Sequence, residues 1–181
     1  MNTWERLSSM ATVSRHRRFA AIGVPELVQK AEDASQNSRL REIHLLHDGD
    51  HDPLHRMLNA LQPGTYARPH RHLAPPKSEG FVILRGAAGI VLFAQHGTDI
   101  LEEYVLLDQA RGMLVADVRP GVWHTILPLV PDTVLYEVKP GPYSPATDKD
   151  FAPWSPEADS EAAGEYLRGL EGRFRAALGL L

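Results

Sequence analysis

The spacing of apolar residues changes twice along the chain. Within residues 25–37, apolar positions recur at helical spacing behind Pro25, which predicts a short packing helix. Within residues 41–138, short apolar runs are separated at near-regular intervals by Gly, Pro, Asp and Gln, as in an antiparallel sandwich or barrel. We interpret these runs as an antiparallel meander that closes on itself. Its predicted strands are 42–46, 55–61, 66–73, 80–84, 89–94, 102–107, 113–118, 122–127 and 133–139.

Two further segments follow the predicted strands. Residues 140–156 contain five prolines, too many for regular strand pairing, and predict a strap across the outside or the mouth of the barrel. Residues 158–181 carry an apolar stripe at helical spacing, although glycines weaken this helix and packing must stabilise it. The predicted organisation is a tail at 1–24, a single domain at 25–157 that includes the N-terminal helix and the strap, and a C-terminal helix at 158–181 packed on the domain.

Composition narrows the classes of function. The 181 residues, 43% hydrophobic and 23% charged, are typical of a soluble globular domain. The formal net charge of -4 argues against nucleic acid or an anionic membrane as a partner. The absence of cysteine excludes disulfides, thiolate metal ligands and a thiol nucleophile, and it agrees with the cytoplasmic location that we predict. Any metal ion must therefore be held by nitrogen and oxygen atoms.

Histidines give the strongest chemical signal. His70 and His72 lie two residues apart in a predicted strand, so their side chains leave the same face and can converge on one ion. Glu79 begins the next apolar run, and His124 follows a tight turn at Pro120-Gly121. A pair of histidines with this spacing is a weak signal by itself, and the surrounding residues strengthen it.

These residues stand in two segments that resemble known motifs. The first segment reads Gly-x5-His-x-His-x6-Glu-x6-Gly and the second reads PGVWH. Together they resemble the two motifs of the cupin superfamily, in which the first supplies His, His and Glu and the second supplies the last His. The gap before Glu79 is six residues, where three or four are usual.

A closer resemblance covers residues 39–157. The segments NALQPGTYARPHRH, KSEGFVILRG, PGVWHT, YEVKPGPY and KDFAPWSPE occur in this order and are similar to the WbuC family of cupin-fold metalloproteins. This resemblance implies an all-β cupin fold, a double-stranded β-helix or jelly-roll barrel, with short N- and C-terminal helices. It also implies a homodimer and a link to polysaccharide biosynthesis.

The expected ligand set is His70, His72, Glu79 and His124. Three imidazoles and one carboxylate suit one divalent transition metal ion, namely Fe, Mn, Zn, Ni or Co, and leave one or two positions for water or substrate. Because an imidazole must be neutral to bind a metal, we expect occupancy to fall below about pH 6.

Other residues are candidates for chemistry next to this ion. For proton transfer the candidates are Glu137 and Tyr66; for substrate binding they are Arg68, Lys77, Lys139 and Tyr143. Each has a structural alternative, because Glu137 and Lys139 could form a solvent-facing pair and the others could be exposed or packed.

The histidines and aspartates of residues 44–55 imitate a calcium loop, but Pro53 and Asn59 stand where an EF-hand needs glycine and a carboxylate, so we interpret this segment as a polar hairpin turn. We expect Trp123 and Trp154 to pack outward against a helix or a partner subunit.

Three functions are compatible with this sequence. The first is a metal-dependent enzyme acting on a small polar molecule such as a sugar or sugar nucleotide, by isomerisation, epimerisation or dioxygenase-like cleavage. The second is a noncatalytic module that binds or senses a small ligand. The third is a purely structural barrel dimer, which needs no metal ion.

Overall fold

The structure is a computed structural model that describes residues 3–16 and 18–180. Residues 1, 2, 17 and 181, which belong to the predicted tail and C-terminal helix, lie outside the described residues. Two helices occur, α1 (Val24–Ser35) and α2 (Ala162–Ala177). The strands are β1 (Thr3–Ser8), β2 (Ala11–Arg15), β3 (Arg41–Leu45), β4 (Leu54–Leu61), β5 (His70–Arg71), β6 (Glu79–Arg85), β7 (Ala87–His96), β8 (Asp99–Asp108), β9 (Val115–Val118), β10 (Trp123–Pro128), β11 (Thr133–Pro140) and β12 (Asp150–Phe151).

The strands form two sheets with the connectivity of a jelly roll. The larger sheet has the order β1-β2-β3-β4-β11-β6-β9, and the smaller has the order β12-β5-β10-β7-β8. The predicted jelly-roll fold is therefore confirmed. The predicted meander is wrong, because chain neighbours such as β4 and β5 lie in different sheets. The strand ladders also do not join the two sheets into one closed barrel.

The molecule is built in four layers. Helix α1 packs on the outer face of the larger sheet through Ala31 and Ala34, which contact Leu58 of β4. Between the sheets lies the central core, whose buried members include Phe81 and Ile90. Alternation of side chains along each strand thus sends one set inward and the other toward a helix.

Helix α2 covers the outer face of the smaller sheet. Its Leu170 and Phe174 are buried together with Trp123 of β10, as the outward parity of Trp123 predicts. Trp154 packs edge-on against Trp123 with ring centroids 5.2 Å apart. Phe174 approaches the sheet closely at Gly89, where an added Cβ would lie 2.6 Å from the phenyl ring. The absence of a side chain at residue 89 therefore lets the helix dock.

The N-terminal region differs from the sequence interpretation. The predicted tail includes β1 and β2, which form a hairpin, and β2 pairs in parallel with β3. This hairpin covers a buried polar group on the outer face of the sheet: both ring nitrogens of His44 lie 2.8 Å from hydroxyls, those of Thr12 and Ser14. Within the described ranges, no helix is long and apolar enough to cross a membrane.

Candidate metal centre

Three strands bring the four predicted ligands together inside the jelly roll. His70 of β5 is directly opposite His124 of β10 in an antiparallel pair, and Glu79 is the first residue of β6. His72 follows β5 immediately. One ligand atom from each side chain can be chosen so that all four lie within 4.8 Å of one another, and all four residues are buried.

The long gap between His72 and Glu79 has a simple structural explanation. Residues 73–76 form a turn that is closed by a bridge between Leu73 and Pro76. The backbone of His72 is also fixed, because its carbonyl accepts a hydrogen bond from Gly121 N at 3.0 Å. The turn takes up the additional residues and returns the chain to the cluster at Glu79.

Backbone carbonyls fix the orientation of all three imidazoles. Nδ1 of His70 lies 2.9 Å from the carbonyl of Arg68, and Nδ1 of His124 lies 3.0 Å from the carbonyl of Val122. Nδ1 of His72 makes the equivalent contact with the carbonyl of Asp148. A carbonyl can only accept, so each Nδ1 carries the hydrogen and each Nε2 presents its lone pair. Such outer contacts are how proteins orient metal-binding histidines.

The lone pairs of His72 and His124 converge on the carboxylate of Glu79. Nε2 of His124 lies 2.8 Å from Oε2 of Glu79, and Nε2 of His72 lies 3.4 Å from the same oxygen. His72 Nε2 is buried and has no hydrogen-bond partner. Because these acceptors face one another, a positive charge must lie among them, either a proton on an imidazole or a metal ion. Bonds of about 2.1 Å separate opposite ligands by about 4.2 Å, so the cluster fits one divalent ion after a small contraction.

Burial and neighbouring charges favour the metal-binding protonation states of His70 and Glu79. Burial, with the nearby charges of Lys149 and His124, lowers the pKa of His70 well below its ordinary value. Burial alone would raise the pKa of Glu79, but contacts with His124 and His72 and the charge of Lys139 lower it well below its usual range. A neutral imidazole and an ionised carboxylate are the forms that bind metal ions.

A buried charge network adjoins the cluster. The ammonium of Lys139 lies 3.4 Å from Oε1 of Glu79, 3.4 Å from Oε1 of Glu137 and 3.3 Å from Oδ2 of Asp148. Asn59 donates a hydrogen bond of 2.5 Å to Oε2 of Glu137. Burial and the charge of Glu79 raise the pKa of Glu137 to about 8, whereas its acidic neighbours raise the pKa of Lys139 against the effect of burial.

The proline-rich strap is anchored to this network by Asp148. The carboxylate of Asp148 accepts hydrogen bonds from Lys77 at 3.0 Å and from Lys139 at 3.3 Å. Lys77 also donates to the carbonyl of Pro142 at 2.6 Å. Because the Asp148 carbonyl contacts His72, the strap positions one of the candidate metal ligands. The predicted strap is therefore an ordered part of the site.

A cavity of about 290 Å³ extends from the cluster between the sheets. His70 and Glu79 lie on its wall, and so do Glu137, Lys139 and Tyr143. Much of the remaining wall is apolar and consists of Ile43, Leu45, Met57, Leu61, Phe81 and Ile126. The cavity can therefore enclose a small molecule next to the candidate metal centre.

The structure does not bring all predicted site residues to this cavity. Tyr66 donates a hydrogen bond to the carbonyl of Pro156 and packs against the outer hydrophobic cluster, so it lies away from the metal centre. Arg68 contacts the Ser155 hydroxyl and lies over the ring of Phe151. Tyr66 and Arg68 therefore do not line the cavity with His70, because strand geometry holds only at His70–Arg71 within the predicted strand 66–73. Lys77 contacts the strap and is not on the cavity wall.

Sequence reasoning missed several residues near the centre. Asp148 and Asn59 hold the charge network; Asn59 begins the segment NALQPGTYARPHRH and Asp148 directly precedes KDFAPWSPE, but the sequence pattern assigns neither of them a role in the site. Within the polar 44–55 segment, His47 and His55 are buried, line the cavity and stack with ring centroids 4.1 Å apart. Among the described residues, only the four predicted ligands form a group suited to a metal ion, so no second metal site is found there.

The chain is similar to known proteins over part of its length. Residues 23–106 match a family described as a domain of unknown function (DUF6016). No curated protein matches the chain. Similar solved structures include CapF in complex with the inhibitor 3-isopropenyl-tropolone, which is 25% identical with a TM-score of 0.47 over 61% of this chain and 31% of CapF. Oxalate decarboxylase from Lactobacillus farciminis is 14% identical with a TM-score of 0.46, again over 61% of this chain and 31% of that chain.

A third similar structure is KdgF from Halomonas sp., which is 17% identical with a TM-score of 0.44 over 59% of this chain and 82% of KdgF. This chain thus spans about a third of the CapF and oxalate decarboxylase chains that it matches. With TM-scores below 0.5, these similarities identify no substrate or reaction. The fold of the chain is a two-sheet jelly roll with a buried cluster of three histidines and one glutamate that could hold a metal ion.

Proposed function

We propose that this protein is a metal-dependent enzyme that acts on a small polar molecule, such as a sugar or sugar nucleotide. The observation that carries the proposal is the arrangement of the imidazoles. Each Nδ1 is held by a backbone carbonyl, and the Nε2 atoms of His72 and His124 face the Glu79 carboxylate. A purely structural barrel has no need for buried acceptors that face one another, since each unpaired polar atom costs about 1–3 kcal/mol.

His70, His72, Glu79 and His124 would hold one divalent ion of Fe, Mn, Zn, Ni or Co. When bound, such an ion supplies Lewis acidity to a substrate oxygen. Isomerisation, epimerisation and dioxygenase-like cleavage are the reactions that we consider.

The residues beside the cluster have distinct proposed roles. Glu137 lies on the cavity wall and is held by Asn59 and Lys139, so it can accept or donate a proton at a bound molecule. Lys139 lies 3.4 Å from an oxygen of Glu79, so its ammonium compensates this buried carboxylate and can also contact substrate. Tyr143, which is 38% exposed, stands at the wall nearer to solvent, where it can orient a ligand.

The ordered motifs also support a proposal about the family, which is more specific than the jelly-roll fold. We propose that the chain is a WbuC-type cupin, on the ordered motifs between residues 39 and 157. A homodimer in the cytoplasm belongs to the same proposal, and light scattering coupled to size-exclusion chromatography tests the dimer. A single-chain mass in solution would contradict it.

Turnover is the test of the enzyme proposal. Protein loaded separately with Mn(II), Fe(II), Co(II), Ni(II) or Zn(II) is incubated with UDP-glucose and dTDP-glucose, and products are followed by NMR. We expect conversion by the wild type and by the control His96→Ala, whose histidine is exposed on β7, and loss of conversion in His124→Ala. Saturable binding without product would instead identify a noncatalytic binding module. The absence of both binding and product would overturn the proposal for these compounds.

A further inference from the structure

Two cations at the cavity lack an acidic partner. Arg41 is half-buried on β3, and Lys149 belongs to the strap and is exposed over much of its surface. Within the part of the chain that the structure describes, neither side chain forms an ion pair with an acid. By contrast, Lys77 and Lys139 are both bound to Asp148.

The two cations reach the cavity from different sides. Arg41, Ile43 and Leu45 alternate along β3 and share the face that lines the cavity, whereas Glu42 and His44 point to the opposite face. Lys149 follows the anchored Asp148 of the strap. Protein packed around the ammonium lowers the pKa of Lys149, and the charges of Lys139 and Arg41 lower it further. The positive charges are thus close enough to repel one another.

The acids of the cavity offset this repulsion only in part: the charges of Glu79 and Glu137 act to raise the pKa of Lys149, but neither acid forms an ion pair with it among the described residues. Glu79 and Glu137 share Lys139, and Asp148 is shared between Lys139 and Lys77. Asp50 also lines the cavity, but it is exposed and lies outside ion-pair distance of both cations. An anion from outside the chain is the partner that would complete the charge balance, and Arg and Lys commonly bind carboxylates and phosphates.

We propose that Arg41 and Lys149 bind the carboxylate or phosphate group of a small organic acid, whose less polar part packs against the cavity wall. This inference names the substrate class for the proposed function and rests on it for the role of the same cavity. Six large apolar side chains line the wall, and the volume of about 290 Å³ suits a small organic molecule. The anionic group lies at the cations, and the rest of the molecule extends toward the histidine cluster.

Three probes of equal chain length test this inference: hexanoate, hexyl phosphate and neutral 1-hexanol. Their dissociation constants are measured by NMR titration on metal-free and Mn(II)-loaded protein. We expect hexanoate or hexyl phosphate, or both, to bind at least about tenfold more tightly than hexanol, the value of one charge-assisted contact. The ratio between the two anions shows whether a carboxylate or a phosphate is preferred.

Variants locate the anion site. We expect Arg41→Gln and Lys149→Gln each to weaken anion binding about tenfold, with little change for hexanol. Lys149→Arg and Arg41→Lys keep the charge, so each should retain much of the wild-type affinity for the anions. Arg39→Gln is the matched control, because Arg39 lies two residues before Arg41 and pairs with the exposed Asp159 at 3.0 Å. Circular dichroism of each variant confirms folding.

The outcomes separate this inference from the metal proposal. Equal affinity for hexanol and both anions, or unchanged anion affinity in both charge-removing variants, would overturn the inference, even if metal binds as expected. Charge-dependent binding to metal-free protein that takes up no metal would support the anion site and contradict the metal-dependent function. Preference for the anions that disappears only in His72→Ala would place the anion at the histidine cluster and overturn the role of Arg41 and Lys149.

Discussion

Replacing Asp148 with asparagine should destabilise the fold by removing the anchor of the strap. Lys77 and Lys139 are 4% and 6% exposed, and both donate to the Asp148 carboxylate. Breaking a buried ion pair from one side typically costs about 3–5 kcal/mol, because the remaining charge is buried without its partner. Lys139 retains Glu79 and Glu137, so the main loss falls on Lys77, which keeps only the carbonyl of Pro142. We therefore expect a loss of about 3 kcal/mol in the free energy of unfolding.

Urea unfolding followed by circular dichroism measures this loss at pH 7. The control is Asp150→Asn, because Asp150 forms a 2.7 Å pair with Arg71 in which the side chains are 47% and 30% exposed. An exposed ion pair contributes about 0–1 kcal/mol, so the free energy of unfolding of this variant should remain within about 1 kcal/mol of the wild-type value. Adding Lys77→Met to Asp148→Asn should recover part of the stability by removing the unpaired ammonium. If Asp148→Asn and Asp150→Asn lose equal stability, the strap is not anchored as described.

Two further predictions concern the outer layers. Burial, followed by the charge of Lys30, lowers the pKa of His44 from 6.5 to about 4. Below pH 6.5 the imidazole of His44 is therefore protonated in the unfolded chain, whereas in the folded chain it stays neutral until about pH 4, so the free energy of unfolding should fall across this window by up to about 3 kcal/mol. Urea unfolding at pH 7 and pH 4.5 should show a smaller decrease in His44→Gln than in the wild type. An equal decrease in both proteins would refute this assignment. Gly89→Ala places a Cβ 2.6 Å from Phe174 and should lower the free energy of unfolding by about 1–3 kcal/mol. The loss should be smaller when Phe174 is replaced by leucine. If urea unfolding shows that the losses of the two substitutions are additive, the close contact is contradicted.

The strands and the ligand set could be predicted because their signals are local. Alternation marks β4, β6 and β11, and the turn before His124 fixes its position relative to β10. The segment 66–73 was harder, because its polar alternation resembles a strand although only His70–Arg71 pairs as one. His70 therefore pairs opposite His124, whereas Tyr66 lies outside the paired residues.

Features that depend on distant pairing left no comparable signal. The sequences of β1 and β2 are rich in polar residues, and β2 joins the sheet through a parallel pair with β3. The importance of Asp148 arises only when the strap crosses the site and meets Lys77, which is 71 residues earlier in the chain. The unpaired state of Arg41 likewise depends on which acids the fold has already assigned to other lysines.

Metal content tests the central claim most directly. Protein purified without a histidine tag is stripped with a chelator, dialysed against Mn(II) or Zn(II) and assayed by elemental analysis, with X-ray absorption spectroscopy to identify the ligands. We predict one ion per chain with imidazole ligands in the wild type and in His96→Ala, and loss of the ion in His70→Ala and His72→Ala. A wild-type chain that retains neither ion, or histidine variants that retain a full equivalent, would contradict the assignment of this cluster as a metal centre.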